Sequence, residues 1–148
     1  MVMSMFDSIL VICTGNICRS PIAERVLRQA FPGKKIDSAG IGALVGEPAD
    51  PGAVRVAEKY GISLFEHYGR QFDVLQASQY ELLLVMEKEQ MEEISRRAPE
   101  LRGKTMLLGH WIGNKDIPDP YRKSNEAFES VFKLIEKACQ CWVAKLID

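Results

Sequence analysis

Short apolar runs of strand length alternate along this chain with longer segments whose apolar residues recur every three or four positions. Apolar runs at 9–12, 80–86 and 104–108, together with the short segment 35–38, predict four β-strands. The helical spacing is clearest over 128–146, where apolar residues line one face of a long last helix. Strands that alternate with helices predict a single α/β domain, with a parallel sheet covered by helices on both faces. We expect the strand order 2-1-3-4.

Capping residues mark where helices begin. Ser20-Pro21 and Asp50-Pro51 each combine an N-cap residue with a proline at the first helical position. The remaining predictions are helices over 21–31, 51–60 and 87–97, a mixture of loop and short helix over 62–78, and an irregular loop over 109–123.

The first strand leads directly into a loop, residues 13–20, that we name the Cys13 loop; its sequence is Cys-Thr-Gly-Asn-Ile-Cys-Arg-Ser. Gly15 and Asn16 tolerate positive φ, and the loop amides converge at a helix N-terminus, where the dipole favours an anion. Cys13 stands at the first position and Arg19 at the seventh, so a bound anion has a nucleophile and a bidentate clamp beside it. The simplest such ligand is a phosphate.

The residue types in this loop predict phosphoryl transfer. Cysteines beside a helix N-terminus and an arginine ionise more readily than free ones, and the Ser20 hydroxyl can hydrogen-bond a thiolate at Cys13. A phosphate ester gripped by Arg19 would present its phosphorus for in-line attack, while the loop amides stabilise the equatorial oxygens. The leaving oxygen needs a proton, which a carboxylic acid at the same sheet edge can deliver. Asp119, between two prolines, is the candidate, although Asp-Pro alone is simply a turn signal.

Composition narrows the class of protein. The 148 residues are enough for one domain spanning 1–148, and we expect a poorly structured start over 1–5. The 19 Lys and Arg against 20 Asp and Glu leave no basic field for nucleic acid. No apolar stretch reaches the roughly 20 residues of a membrane span, and no signal peptide precedes the first strand. We therefore expect a cytoplasmic protein without membrane insertion.

The cysteines do not form a metal-ligand pattern. Cys13, Cys18, Cys139 and Cys141 lack the C-x-x-C spacing, and no histidine lies near them in sequence. We expect thiols, no metal and no cofactor.

Three motifs, taken in order, resemble the low-molecular-weight protein tyrosine phosphatase family over nearly the whole chain. They are the Cys13 loop with Pro21, Asp37-Ser-Ala-Gly, and Asp119-Pro-Tyr ahead of the long last helix. The segments Gly109-His-Trp and Ile117-Pro-Asp-Pro-Tyr-Arg-Lys-Ser are similar to the branch found in capsule and exopolysaccharide operons of Gram-negative bacteria. That branch dephosphorylates the tyrosine-rich tail of a membrane tyrosine autokinase, so the resemblance implies a phosphotyrosine protein of this kind as partner. We expect a monomer.

The resemblance also implies residue roles. Cys13 would form a covalent phosphocysteine, Arg19 would bind phosphate and stabilise the transition state, and Asp119 would act first as general acid and then as general base. A supporting hydrogen-bond network is implied for Asn16, Ser20 and His67. From the residues alone, His67 is a structural histidine, and we interpret His110 in the same way.

The resemblance further implies a substrate slot. Leu44 stands where eukaryotic members carry an aromatic wall, and with Ile17 and Tyr121 it is expected to line a slot for a phenyl ring. Thr14 stands where the family often has an aliphatic residue, which should matter little because its amide binds the phosphate. Cys18 has two interpretations that stay open: a reversible disulfide with Cys13, as in the family, or a small side chain packed behind the loop.

Alternatives from other classes fit less well. An arsenate reductase on the same scaffold would need a cysteine pair around the helix after the third strand, and residues 82–92 contain none. A phosphotyrosine-binding module without catalysis is disfavoured because nucleophile, clamp and acid are all present. The loop also lacks the Gly-x4-Gly-Lys spacing of a nucleotide-binding P-loop.

Overall fold

In the computed structural model, which describes residues 6–147, the four predicted strands form one parallel sheet. The strands are β1 (Ser8–Cys13), β2 (Lys35–Gly40), β3 (Leu82–Val85) and β4 (Thr105–Leu107). Their order is β2-β1-β3-β4, so the predicted order and fold class are confirmed. The predicted poorly structured start at 1–5 lies outside the described residues.

The central strand β1 is buried on both faces, which explains its unbroken apolar run. Ile9 and Val11 pack in a cluster that includes apolar residues of three helices, α1 (Arg19–Ala30), α2 (Pro51–Lys59) and α5 (Asn125–Leu146). The alternating residues Leu10 and Ile12 face a second cluster on the other side of the sheet.

The second cluster is covered by two helices, α3 (Val74–Ala77) and α4 (Lys88–Arg97). The four-residue α3 lies in the segment for which loop and short helix were predicted. None of the helices in the described part of the chain combines the length and the apolar character that a membrane span requires.

The structure corrects two predictions of local structure. Helix α1 begins at Arg19 with Cys18 as its N-cap, so the prediction that Ser20 caps this helix is wrong. Ser20 lies in the first turn, where its hydroxyl is occupied by partners in the Cys13 loop. The loop predicted over 109–123 is irregular only in part, because Leu108–Ile112 forms a 3₁₀-helix packed against α5. A second 3₁₀-helix, Pro99–Lys104, precedes β4.

Candidate active site

The Cys13 loop connects the carboxyl end of β1 to the N-terminus of α1. The Sγ atom of Cys13 lies 2.9 Å from Ser20 Oγ and accepts a hydrogen bond from the backbone N–H of Asn16 at 3.3 Å. Cys13 is 2 % exposed, at the base of the loop. A sulfur atom held at a helix N-terminus by a backbone amide and a hydroxyl is in the environment of nucleophilic cysteines.

The positively charged side chain of Arg19, the seventh residue of the Cys13 loop, is buried. Its guanidinium donates from Nη1 to the carbonyl oxygen of Ile117 at 2.7 Å. Nη1 lies 3.3 Å from Glu87 Oε1, and Nη2 lies 3.7 Å from Asp119 Oδ2. Among the side chains of residues 6–147, Arg19 Nε is the only buried nitrogen or oxygen without a hydrogen-bond partner. Since a buried donor without an acceptor is costly, this atom points to an anionic ligand.

Asp119 lies on the segment that returns from β4 to α5, at the same edge of the sheet as Cys13. Its side chain is 45 % exposed. Oδ1 accepts a hydrogen bond from the backbone N–H of Tyr121 at 3.0 Å. The structure thus brings the predicted nucleophile, clamp and acid together around one cavity, with the carboxyl group open to a ligand.

Asn16, within the Cys13 loop, joins the loop to neighbouring segments through hydrogen bonds of its side chain. Its backbone is left-handed, with φ of 60°, a conformation that asparagine tolerates better than most residues. The side-chain amide donates to Ser20 Oγ at 2.8 Å and to Ser38 Oγ at 3.0 Å. The amide oxygen accepts from the backbone N–H of Arg70 at 2.8 Å. Three chain segments therefore hold one side chain in place.

His67, which lies outside the Cys13 loop, contacts the backbone of Asn16. Its Nε2 atom lies 2.6 Å from the carbonyl oxygen of Asn16, and because a carbonyl only accepts, Nε2 carries the hydrogen. Burial lowers the pKa of His67, while the Asn16 carbonyl and the Glu24 carboxylate oppose that effect. The hydrogen bond places His67 against the loop at Asn16, and burial favours the neutral imidazole.

Glu24, Ser38 and Arg70 extend this network beyond the predicted residues. Ser38 donates to Glu24 Oε1 at 2.7 Å, and Glu24 is 4 % exposed although it is ionisable. A serine inside the Asp37-Ser-Ala-Gly motif, at the carboxyl end of β2, was the available signal for Ser38. No pattern marks the backbone N–H of Arg70, since nearly every residue type carries that group.

The cavity above Cys13 has a volume of about 190 Å³. Its walls are partly apolar, from Ile17, Leu44 and Tyr121, and its floor is the Cys13 loop. The lining residues are Cys13, Thr14, Gly15, Ile17, Cys18, Arg19, Gly42, Leu44, Asp119 and Tyr121. The predicted slot residues therefore meet at the predicted nucleophile, and Gly42 is an additional lining residue that was not predicted.

Cys18 is a buried thiol, 4 % exposed, and belongs to the core cluster beside α1. Burial raises its pKa well above the usual range, and the nearby Asp50 carboxylate adds to the effect. Cys18 thus packs against the core and also contributes to the lining of the cavity. A disulfide between Cys13 and Cys18 stays a prediction.

The profile of the low molecular weight phosphotyrosine protein phosphatase family matches residues 8–148. The chain belongs to this family. A Klebsiella pneumoniae relative is 62% identical over 142 residues, which are 96% of this chain and 99% of that protein. The low molecular weight protein-tyrosine-phosphatase Etp of Escherichia coli K12 is 53% identical over 95% of both chains.

Solved structures agree with this family assignment. The crystal structure of the tyrosine phosphatase Wzb from Escherichia coli K30, in complex with sulphate, superposes with a TM-score of 0.94. That chain is 63% identical, and the alignment covers 96% of this chain and 99% of Wzb.

Proposed function

We propose that the protein hydrolyses phosphotyrosine through a phosphocysteine at Cys13. The observation that carries this proposal is the unpartnered, buried Nε atom of Arg19 beside a cavity that contains Cys13. Together with the loop amides, this donor fits a phosphate whose phosphorus faces the Cys13 sulfur. Family membership supports the same activity.

The first step transfers the phosphoryl group to the enzyme. The Cys13 thiolate attacks phosphorus in line, the P–S bond forms, and the bond between phosphorus and the phenolic oxygen breaks. Asp119, open to the cavity at 45 % exposure, gives its proton to the departing oxygen. Arg19 and the loop amides stabilise the equatorial oxygens during transfer.

The second step releases phosphate. Asp119, now a carboxylate, takes a proton from water as the water oxygen attacks phosphorus. The P–S bond breaks, inorganic phosphate departs, and the Cys13 thiolate is regenerated.

The apolar walls of the cavity, from Ile17, Leu44 and Tyr121, support a flat aromatic leaving group in the substrate.

We further propose a protein substrate, the tyrosine-rich tail of a membrane tyrosine autokinase that controls capsule or exopolysaccharide production. The motif around Asp119 supports this branch of the family. The monomeric state, the cytoplasmic location and a single phosphatase domain over 1–148 stay predictions. An arsenate reductase is disfavoured, since Cys139 is wholly buried on α5 and residues 82–92 contain no cysteine.

Two variants test the chemistry. Cys13→Ser should abolish hydrolysis of a phosphotyrosine peptide, and turnover that survives this change would refute the proposal. Asp119→Asn should reduce kcat/KM for phenyl phosphate, which covers only the steps up to formation of the phosphocysteine, about 100-fold or more. The loss should be much smaller for p-nitrophenyl phosphate, whose leaving oxygen hardly needs a proton. Asp116→Asn, on the same segment, is the matched control, and equal losses in both Asp variants would exclude Asp119 as the acid.

A further inference from the structure

Gln90 is a buried polar side chain that lies between the Cys13 loop and the residues that hold Arg19. It is 5 % exposed and sits in the first turn of α4. Its Oε1 atom accepts hydrogen bonds from the backbone N–H groups of Met86 at 2.9 Å and Glu87 at 3.0 Å. Because these two groups only donate, the amide oxygen must face them, and Nε2 must face the other way.

The amide nitrogen of Gln90 contacts both ends of the site. Nε2 donates to Thr14 Oγ1 at 3.1 Å, across a sequence separation of 76 residues. It also donates to Glu87 Oε1 at 3.3 Å. That same carboxylate oxygen lies 3.3 Å from Arg19 Nη1. The Gln90 amide therefore binds both Thr14, the second residue of the Cys13 loop, and Glu87, the carboxylate that lies beside Arg19.

We propose that Gln90 is a positioning residue for the phosphatase reaction. It holds Thr14 and Glu87 in a fixed relation, so that the loop amides and the Arg19 guanidinium converge on one phosphate. This proposal rests on the proposed function. It also gives the Thr14 side chain a purpose, in place of the expectation that only its amide matters.

This role predicts a particular pattern of effects. Gln90 and Thr14 act on the shape of the anion site, so their loss should weaken phosphate binding and lower kcat/KM for good and poor leaving groups alike. Neither residue takes part in proton delivery by Asp119. The ratio of kcat/KM for phenyl phosphate to kcat/KM for p-nitrophenyl phosphate should therefore be the same in the variants as in the wild-type protein.

Thr14→Val and Thr14→Ser are the decisive pair, because valine keeps the shape of threonine without its acceptor and serine keeps the hydroxyl. Calorimetry should measure inorganic phosphate binding in the Cys13→Ser background, where turnover does not interfere. Thr14→Val should weaken binding about threefold to tenfold, the worth of one neutral hydrogen bond, and Thr14→Ser should stay within about twofold.

Gln90→Glu keeps both acceptor contacts but loses the donor and places a second carboxylate beside Glu87. It should weaken phosphate binding about tenfold or more. In that background Thr14→Val should add less than about twofold, because the bond it removes is already broken. Thermal unfolding of each variant without phosphate separates folding defects from binding defects.

Three results would overturn the proposal. One is equal phosphate affinity for Thr14→Val and Thr14→Ser. Another is a double variant, Thr14→Val with Gln90→Glu, whose loss of phosphate affinity equals the product of the two single-variant losses. A third is the absence of phosphate binding by the Cys13→Ser protein itself. If Gln90→Glu does not fold, the two Thr14 variants decide alone. Failure of the proposed function would appear differently, as intact phosphate binding with no phosphotyrosine turnover by the wild-type protein.

Discussion

Gly40 ends β2 directly opposite Cys13 in the sheet register. A Cβ atom added at this position would lie 2.5 Å from the carbonyl oxygen of Thr14, and 3.0 Å from both the backbone nitrogen and the Cβ of Asn16. The first two contacts are with backbone atoms of the Cys13 loop, which cannot rotate away as the end of a long side chain can. Gly40→Ala should therefore displace the loop itself.

The size of the displacement follows from the shortest contact. The 2.5 Å separation falls about 0.9 Å short of the 3.4 Å at which ordinary van der Waals contact begins. A misplacement of about 1 Å in a catalytic group costs about 100-fold in rate, so kcat/KM should fall by about that factor. Overpacking of this kind costs about 1–3 kcal/mol, which lowers the Tm of a domain this size by about 3–10 °C.

Hydrolysis of p-nitrophenyl phosphate and thermal unfolding measure the two effects. Gly33→Ala and Gly103→Ala are matched controls, because an added Cβ meets no atom within 4 Å at either position. Both controls should keep wild-type kcat/KM. A Gly40→Ala protein with kcat/KM within about threefold of wild type and an unchanged Tm would refute the reasoning that β2 fixes the loop.

The network beneath the loop yields two further predictions. Burial lowers the pKa of His67, so the stability it contributes is complete above its unfolded pKa of about 6.5 and is lost as pH falls through the lower folded value. Between pH 7.5 and 5.0, the free energy of unfolding measured in urea should fall less for His67→Gln than for the wild-type protein. Equal falls in the two proteins would contradict this prediction. Asn16→Ala removes three hydrogen bonds at a left-handed residue and should cost about 2–4 kcal/mol by urea unfolding. Asn114→Ala, at an exposed residue with φ of 56°, is its control, and equal losses would show that backbone strain alone matters.

Local order along the chain made the main parts of the site predictable. Cys13, Arg19 and Ser20 lie within eight residues of one another, so a strand followed by a helix places them around one point. Asp119 was predictable because the carboxyl ends of parallel strands share one sheet edge. The Ser20 prediction was right about its contact with Cys13 and wrong about capping, since one hydroxyl bound to Cys13 and Asn16 is not available to the helix amides.

The supporting contacts could not be predicted because they join residues far apart in sequence. Arg70 donates to Asn16 across 54 residues, from a segment without clear periodicity. Gln90 falls within the helix predicted over 87–97, and the sequence does not show that its amide is buried against Thr14. Such contacts depend on how β3 and α4 are placed beside β1, which only the folded chain determines.

The partners of Arg19 explain how a buried cation can remain available to a substrate. Its hydrogen bond to the Ile117 carbonyl, at 2.7 Å, orients the guanidinium without neutralising it. The 3.7 Å separation from Asp119 is too long for a hydrogen bond, and a carboxylate 45 % exposed contributes at most about 1 kcal/mol through such a pair. The closer carboxylate, Glu87, lies 3.3 Å from Nη1, the same atom that donates to Ile117. A phosphate bound at Nε and Nη2 would therefore leave both of these internal contacts in place. The guanidinium is already in place when the anion arrives, so little reorganisation is needed during phosphoryl transfer.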